Sequence, residues 1–412
     1  MRRRTYNNGA TQMAVAGVDE KSGSTHAKAW IGQAPSSSQI FAFLLLGTTA
    51  LLIAGVQPVV LGALVDEARL SASAVGWTVA IEFVTIGIGV AIASSVWDPA
   101  KIRGRVAIAA VVLIVVDLLI SRLTGGGILA DRAVAGLAEG VLVAPAAIII
   151  ARAPTPARWA GILLVLQGVA QFVLAAVLPG TAMKAGGADG AFYVLAAAVA
   201  ISLLVVPLLP GHMARLRVSA VEHPQNSWTL ASVSSLFSVF LTYAYFIGAF
   251  SYFGLLARQA GLGLEQVGNV IALTVATSIL GSAGLAMVAQ RVHYYTIATI
   301  CLCVNVGLIV FITSLPDYRS LLLAGTAFGF FWGIFTPLQV ALVIENDRSR
   351  RTALVIPGVQ ALGAAGGPLL CSAFVTQGDA RGAFASALVC LIGAFAISTW
   401  LHFRTKPAEP AQ

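Results

Sequence analysis

Long apolar runs alternate with short polar turns along almost the whole chain. A helix needs ~20 apolar residues to cross a hydrocarbon layer of ~30 Å. Twelve runs meet that length, at about 40–63, 74–96, 104–122, 128–151, 159–181, 188–210, 232–256, 266–290, 293–314, 319–344, 353–376 and 381–402. Inside lipid each run must satisfy its own backbone hydrogen bonds, and a helix does so within one segment. A spanning barrel would instead read as strands of ~10 residues alternating in polarity, and the chain lacks that pattern. The pattern predicts an all-α polytopic membrane protein of twelve transmembrane helices.

Residues 1–38 stand apart. They are polar, begin with Arg2, Arg3 and Arg4, and end on Pro35, Ser36, Ser37 and Ser38. No apolar stretch follows the arginines closely, so the segment reads as a cytoplasmic tail and not a cleaved signal. Its basic residues suit contact with a lipid surface.

Composition sharpens this reading. Hydrophobic residues make up 58% and charged residues 10%, against about 45–50% and about 25% in soluble domains. Soluble enzymes, nucleic-acid binders and disordered chains are excluded on that ground. The net charge of +8 therefore matters for where it sits. With the N-terminus inside, 18 of the 25 Lys and Arg fall in inner segments and 6 in outer loops, with Arg132 left within a span. That bias predicts both termini in the cytoplasm. Cys301, Cys303, Cys371 and Cys390 all lie in apolar stretches and read as small packing residues, with no metal site or disulfide framework.

The chain also repeats itself. Ala68, Leu70, Val75 and Gly76 after the first span match Ala260, Leu262, Val267 and Gly268 after the seventh, at an offset of 192. At an offset of 193, Gly136 and Gly140 match Gly329 and Gly333, and Arg158 and Gln167 match Arg351 and Gln360. This predicts two pseudo-symmetric six-helix halves, 39–210 and 232–403. A cytoplasmic linker, 211–231, joins them, and a short cytoplasmic tail, 404–412, ends the chain. Parallel halves of this kind are a pattern of secondary transporters.

With these landmarks the sequence resembles the major facilitator superfamily from about residue 40 to 402. The family's cytoplasmic loop between helices 2 and 3, G-x-x-x-D-x-x-G-R, is matched loosely by Asp98, Gly104 and Arg105. Ser94 stands for its leading glycine, and Gln290 occupies the repeat position of Asp98. The helix 4 motif R-x-x-x-G is present as Arg132 and Gly136. The glycine run ending in Gly-Pro that marks helix 5 of antiporters is absent from the fifth span, and Gly366, Gly367 and Pro368 carry such a run in the eleventh. The resemblance implies alternating-access transport, with helices 4, 7 and 10 facing a central cavity.

No enzyme constellation is present: no G-x-S-x-G, P-loop or H-E-x-x-H. All five histidines fall in tails or near inner ends. The charges inside spans carry more information. Glu82, Asp117, Arg132 and Glu139 lie in spans 2 to 4, with Asp131 at the outer end of span 4. Each such charge costs ~2.5–3.5 kcal/mol on insertion scales, so each needs a partner or a wet cavity. Arg132 and Glu139 are seven residues apart on one helix face. Glu139 at mid-depth is the first candidate proton carrier and Glu82 the second, with Arg132 tuning Glu139 or binding an anion. A static Arg132–Glu139 pair is the alternative. Asp117, Arg122 and Asp131 read as a structural network closing the hairpin between spans 3 and 4.

Neutral polar candidates for the substrate cavity are Gln57, followed by the kinking Pro58, then Gln167, Gln171, Gln339 and Gln360, and Asn305 in span 9 is a further intramembrane amide. Aromatic candidates are Tyr243, Tyr245, Phe250 and Tyr252 in span 7 and Trp332 in span 10. Aromatic walls suit a planar organic solute. The expected function is proton-coupled uptake of an aromatic or carboxylated compound across the cytoplasmic (inner) membrane. Proton-driven efflux of an amphipathic compound is the second reading and a non-transporting receptor the third. The expected partners are the solute, protons and the bilayer, with the chain acting as a monomer, without nucleic acid, cofactor or metal.

Overall fold

The structure is a computed structural model and describes residues 30, 33–93, 101–211, 229–288, 294–346, 351–376 and 379–405. Among the described residues, thirteen α-helices make up twelve spans, because the first span is split. The N-terminal half holds α1 (Ser37–Thr49), α2 (Leu52–Asp66), α3 (Ala72–Ala91), α4 (Ile102–Leu119), α5 (Gly126–Arg152), α6 (Pro156–Val177) and α7 (Ala182–Leu203). The C-terminal half holds α8 (Leu230–Gln259), α9 (Leu264–Val288), α10 (Tyr294–Thr313), α11 (Tyr318–Asn346), α12 (Arg351–Ser372) and α13 (Arg381–Thr405). Each span is about as long and apolar as its run of residues predicts, and large apolar side chains such as Ile108, Leu164 and Val389 face outward, where lipid would lie.

The helix starts follow local chemistry. Ser36 accepts from the Gln39 N–H while the Gln39 side chain accepts from the Ser36 N–H, a reciprocal cap on α1. Ser71 and Thr229 cap α3 and α8 in the simpler one-bond form.

The first span departs from expectation. The break falls at Ala50 and Leu51, and Pro58 sits inside α2. Thr49 turns its hydroxyl back onto the Leu45 and Leu46 carbonyls, a bond that bends helices. Gln167 then donates to the Gly47 carbonyl and Gln171 to the Leu51 carbonyl, each at 2.7 Å. Two amides on α6 thus serve the carbonyls flanking the break.

Within each half the second and fourth spans pack tightly: α3 on α5, and α9 on α11. Between halves, α3 meets α12, α2 meets α8 and α9, and α6 meets α9. These meetings concentrate at the helix ends farthest from Ser37 and Thr405. There the Gly76 N–H donates to the Tyr252 hydroxyl at 2.9 Å, and Asp66 pairs with Arg258 at 2.8 Å. A Cβ on Gly76 would collide with the Pro368 carbonyl, so α3 and α12 touch backbone to backbone. A second close approach between the halves brings Gly168 of α6 against Ile279 of α9.

Candidate functional site

The site sits within the N-terminal half, where α2, α3, α4 and α5 converge. Close approach of α3 and α5 builds it: a Cβ on Gly136 would meet the Thr85 hydroxyl and the Glu82 carbonyl. That contact brings the Glu82 side chain to the face of α5 that carries Arg132 and Glu139. Arg132 is fully buried. Its Nη2 donates to Asp117 Oδ1 at 2.8 Å and to Asp131 Oδ2 at 3.0 Å, and its Nε donates to Asp131 Oδ2 at 3.1 Å. Nη1 lies 3.5 Å from Glu82 Oε1. The guanidinium also stacks 5.0 Å from the Phe192 ring centre on α7.

Glu82 has a second partner, because Gln57 donates to its Oε2 at 3.0 Å. Glu139 is 2% exposed, and its Oε2 has no protein partner. None of the described ion pairs joins Arg132 to Glu139. Three carboxyls contact the single guanidinium and Glu139 lies beside Asp117 as a fourth; all five groups are buried. Ionised together they would hold a net charge of −3 in a low-dielectric interior, which hydrogen ions or a bound cation must offset.

The remaining candidates are distributed more widely. Gln57 belongs to this cluster. Gln167 and Gln171 serve the broken span. In the C-terminal half the Tyr245 hydroxyl donates to Asn305 Oδ1 at 2.8 Å, and Tyr252 bonds across the halves. Gln339 is buried and accepts from Ser238 at 3.5 Å, and Gln360 is half-buried. Phe250 lies 5.3 Å from Trp332, ring centre to ring centre; Phe250 is buried, while Trp332 and Tyr243 are half-buried. Asp98 lies outside the described residues; Gly104 and Arg105 open α4.

Sequence reasoning set Asp117 and Asp131 apart in a hairpin network and kept Arg132, Glu82 and Glu139 for chemistry. The structure puts all five in one cluster. The usable signal was charge balance: a single buried cation among four acids must serve several of them.

Residues 42–357 match the Major Facilitator Superfamily. The chain belongs to that superfamily. No curated protein sequence matches it. Among solved structures, the POT family transporter PepTSo superposes with a TM-score of 0.69 at 11% identity, covering 90% of this chain and 100% of that one. The nucleoside transporter NupG gives 0.67 at 11%, covering 90% and 100%. A bacterial homologue of the human lysosomal transporter Spinster, inward-facing and occupied, gives 0.63 at 14%, covering 90% and 98%. At such identities the likeness is one of fold. The superfamily fold makes the chain a multi-pass membrane protein and supports secondary transport of a solute.

Proposed function

We propose that this transporter couples solute movement to protons through the buried cluster of the N-terminal half. The carrying observation is the imbalance there: Glu82, Asp117, Asp131 and Glu139 against Arg132 alone, with one Glu139 oxygen unpartnered. A deprotonated Glu139 is costly in a dry interior, and protonation removes the cost. Proton occupancy then biases which conformation is stable, which is what coupling requires.

The solute on this reading is a small aromatic compound. Trp332 and Tyr243 are the half-buried rings of the C-terminal half's candidate wall, backed by Phe250. A carboxylated solute is less well served by Arg132, which carboxyls already enclose. The charge bias of 18 to 6 supports a cytoplasmic position for both termini, in a membrane of the bacterial inner-membrane type. In that orientation the inter-half contacts of Gly76 with Tyr252 and of Asp66 with Arg258 lie on the outer side, which supports an inward-facing reading. A single chain carries both halves and acts as a monomer.

Proteoliposome flux under an imposed pH gradient tests the proposal. Wild type should accumulate solute when the outside is acidic; accumulation under the opposite gradient would mark efflux. Glu139→Gln should abolish pH-driven accumulation yet keep solute exchange between two filled compartments. Full accumulation by that variant would remove Glu139 from coupling.

A further inference from the structure

We propose that a cavity beside the break in the first span is a one-water site joining Glu139 to Asp117, so that the two acids share protons as a unit. The proposal rests on the proton-coupled reading above and names how its site is wired.

The cavity lies among four elements. Thr49 and Ala50 of the break, Leu113 and Asp117 of α4, Glu139 of α5 and Leu195 of α7 line it. Its volume is about 10 Å³ for the centre of a water-sized sphere, which is about room for one water. A buried water also needs two to four polar partners. Glu139 Oε2 is buried and has no protein partner, and it belongs to a residue lining this space. Asp117 Oδ1 accepts from Arg132 Nη2. The Thr49 hydroxyl donates to the carbonyls behind it, which leaves its oxygen free to accept. No side chain caps the first turn of α2, and two residues of that turn, Leu52 and Ile53, face the same space. A helix start favours an oxygen. A metal ion is the poorer occupant, because among the described residues no three metal-ligating side chains, these acids included, are arranged to hold one ion.

The charged groups near Glu139 are Glu82 from α3, Asp117 from α4, and Arg132 on its own helix. The first span faces the cavity with the neutral Thr49. Proton transfer through the water balances simply. The Glu139 O–H breaks as its hydrogen joins the water oxygen. The water at once passes one of its own hydrogens to Asp117, and it remains a water. Negative charge moves from Asp117 to Glu139, and Arg132 stays beside the group that has become neutral. Asp117 is on this account a proton-sharing residue and not only a hairpin tie.

Infrared difference spectra between acidic and alkaline pH, taken on the full-length protein in liposomes, test the site. One water stretching band that shifts in ¹⁸O-water should appear. It should be lost in Ala50→Val, which fills the cavity, and shifted in Asp117→Asn. Asp379→Asn, at the surface, should leave it in place. Thr49→Val, equal in volume, should also shift the band and serves if Ala50→Val fails to fold. A band indifferent to Asp117→Asn and Thr49→Val overturns the proposal. So does a sodium-specific rise in Tm that Glu139→Gln removes, because a cation would then hold the site. Failure of coupling reads separately: Glu139→Gln that still accumulates solute sinks the proton reading whatever the water band does.

Discussion

The two halves share a scaffold and differ in what they bury. The N-terminal half buries Arg132 among four acids. The C-terminal half, among its described residues, buries no charged side chain; its polar core is made of hydroxyls and amides. Tyr245 bonds Asn305, whose amide donates onward to the Cys301 carbonyl, and Ser238 bonds Ser398 and Gln339. Around them Phe246 packs on Phe328, Trp332 and Phe335. Neutral hydrogen bonds and ring contacts do not change with pH between 5 and 8, whereas a cluster short of cations does. On the proposed reading, one half responds to protons and the other holds its shape.

The strongest way to break this contrast is Arg132→Met. It leaves buried acids without their cation, and loss of one partner of a buried ion network costs ~3–5 kcal/mol. We expect little folded protein at neutral pH and partial recovery of yield when the same variant is purified under acid conditions. Equal yield at both would deny the charge argument. Tyr245→Phe is the matched lesion in the neutral half. It strands the Asn305 oxygen, worth ~1–3 kcal/mol, and the Tm should fall by the same amount at pH 6 as at pH 8. A loss that varies with pH would mean that the C-terminal half also titrates.

Tyr252→Phe is smaller and concerns the seam between halves. It removes the bond from the Gly76 N–H, a net ~0.5–1.5 kcal/mol, so the closed population at that end should fall by about 2- to 10-fold. Cysteine labelling from the distal side at Asp66 would detect it. The smallest effect is expected at Asp379. The Arg381 N–H and the Gln259 amide hold its carboxyl below the usual carboxylate range. A folded pKa below the unfolded value contributes stability above the unfolded pKa, and that contribution is lost as pH falls through the folded one. Asp379→Asn should therefore lower Tm slightly at pH 7, with the two curves converging below pH 4.

The spans were legible because lipid enforces length and polarity together, and an offset repeat is visible without coordinates. The cluster was only half legible. Glu82 and Arg132 are 50 residues apart, and which acid a buried arginine meets depends on where glycines let helices approach. The break was misplaced for a related reason. Pro58 is a loud local signal, yet α2 absorbs it, while the bend arises from Thr49 and from two glutamines more than 110 residues away.

That broken span divides its allegiance. α1 packs against α5, α6 and α7 of its own half, whereas α2 also packs against α8 and α9 of the other. On the proposed transport reading, parting of the halves at the distal end would carry α2 with its neighbours while α1 stays with its home bundle. The joint at Leu51 would then act as a hinge pin in a two-piece lever, and displacement at the far end would reach Glu139 as a change of angle at the joint.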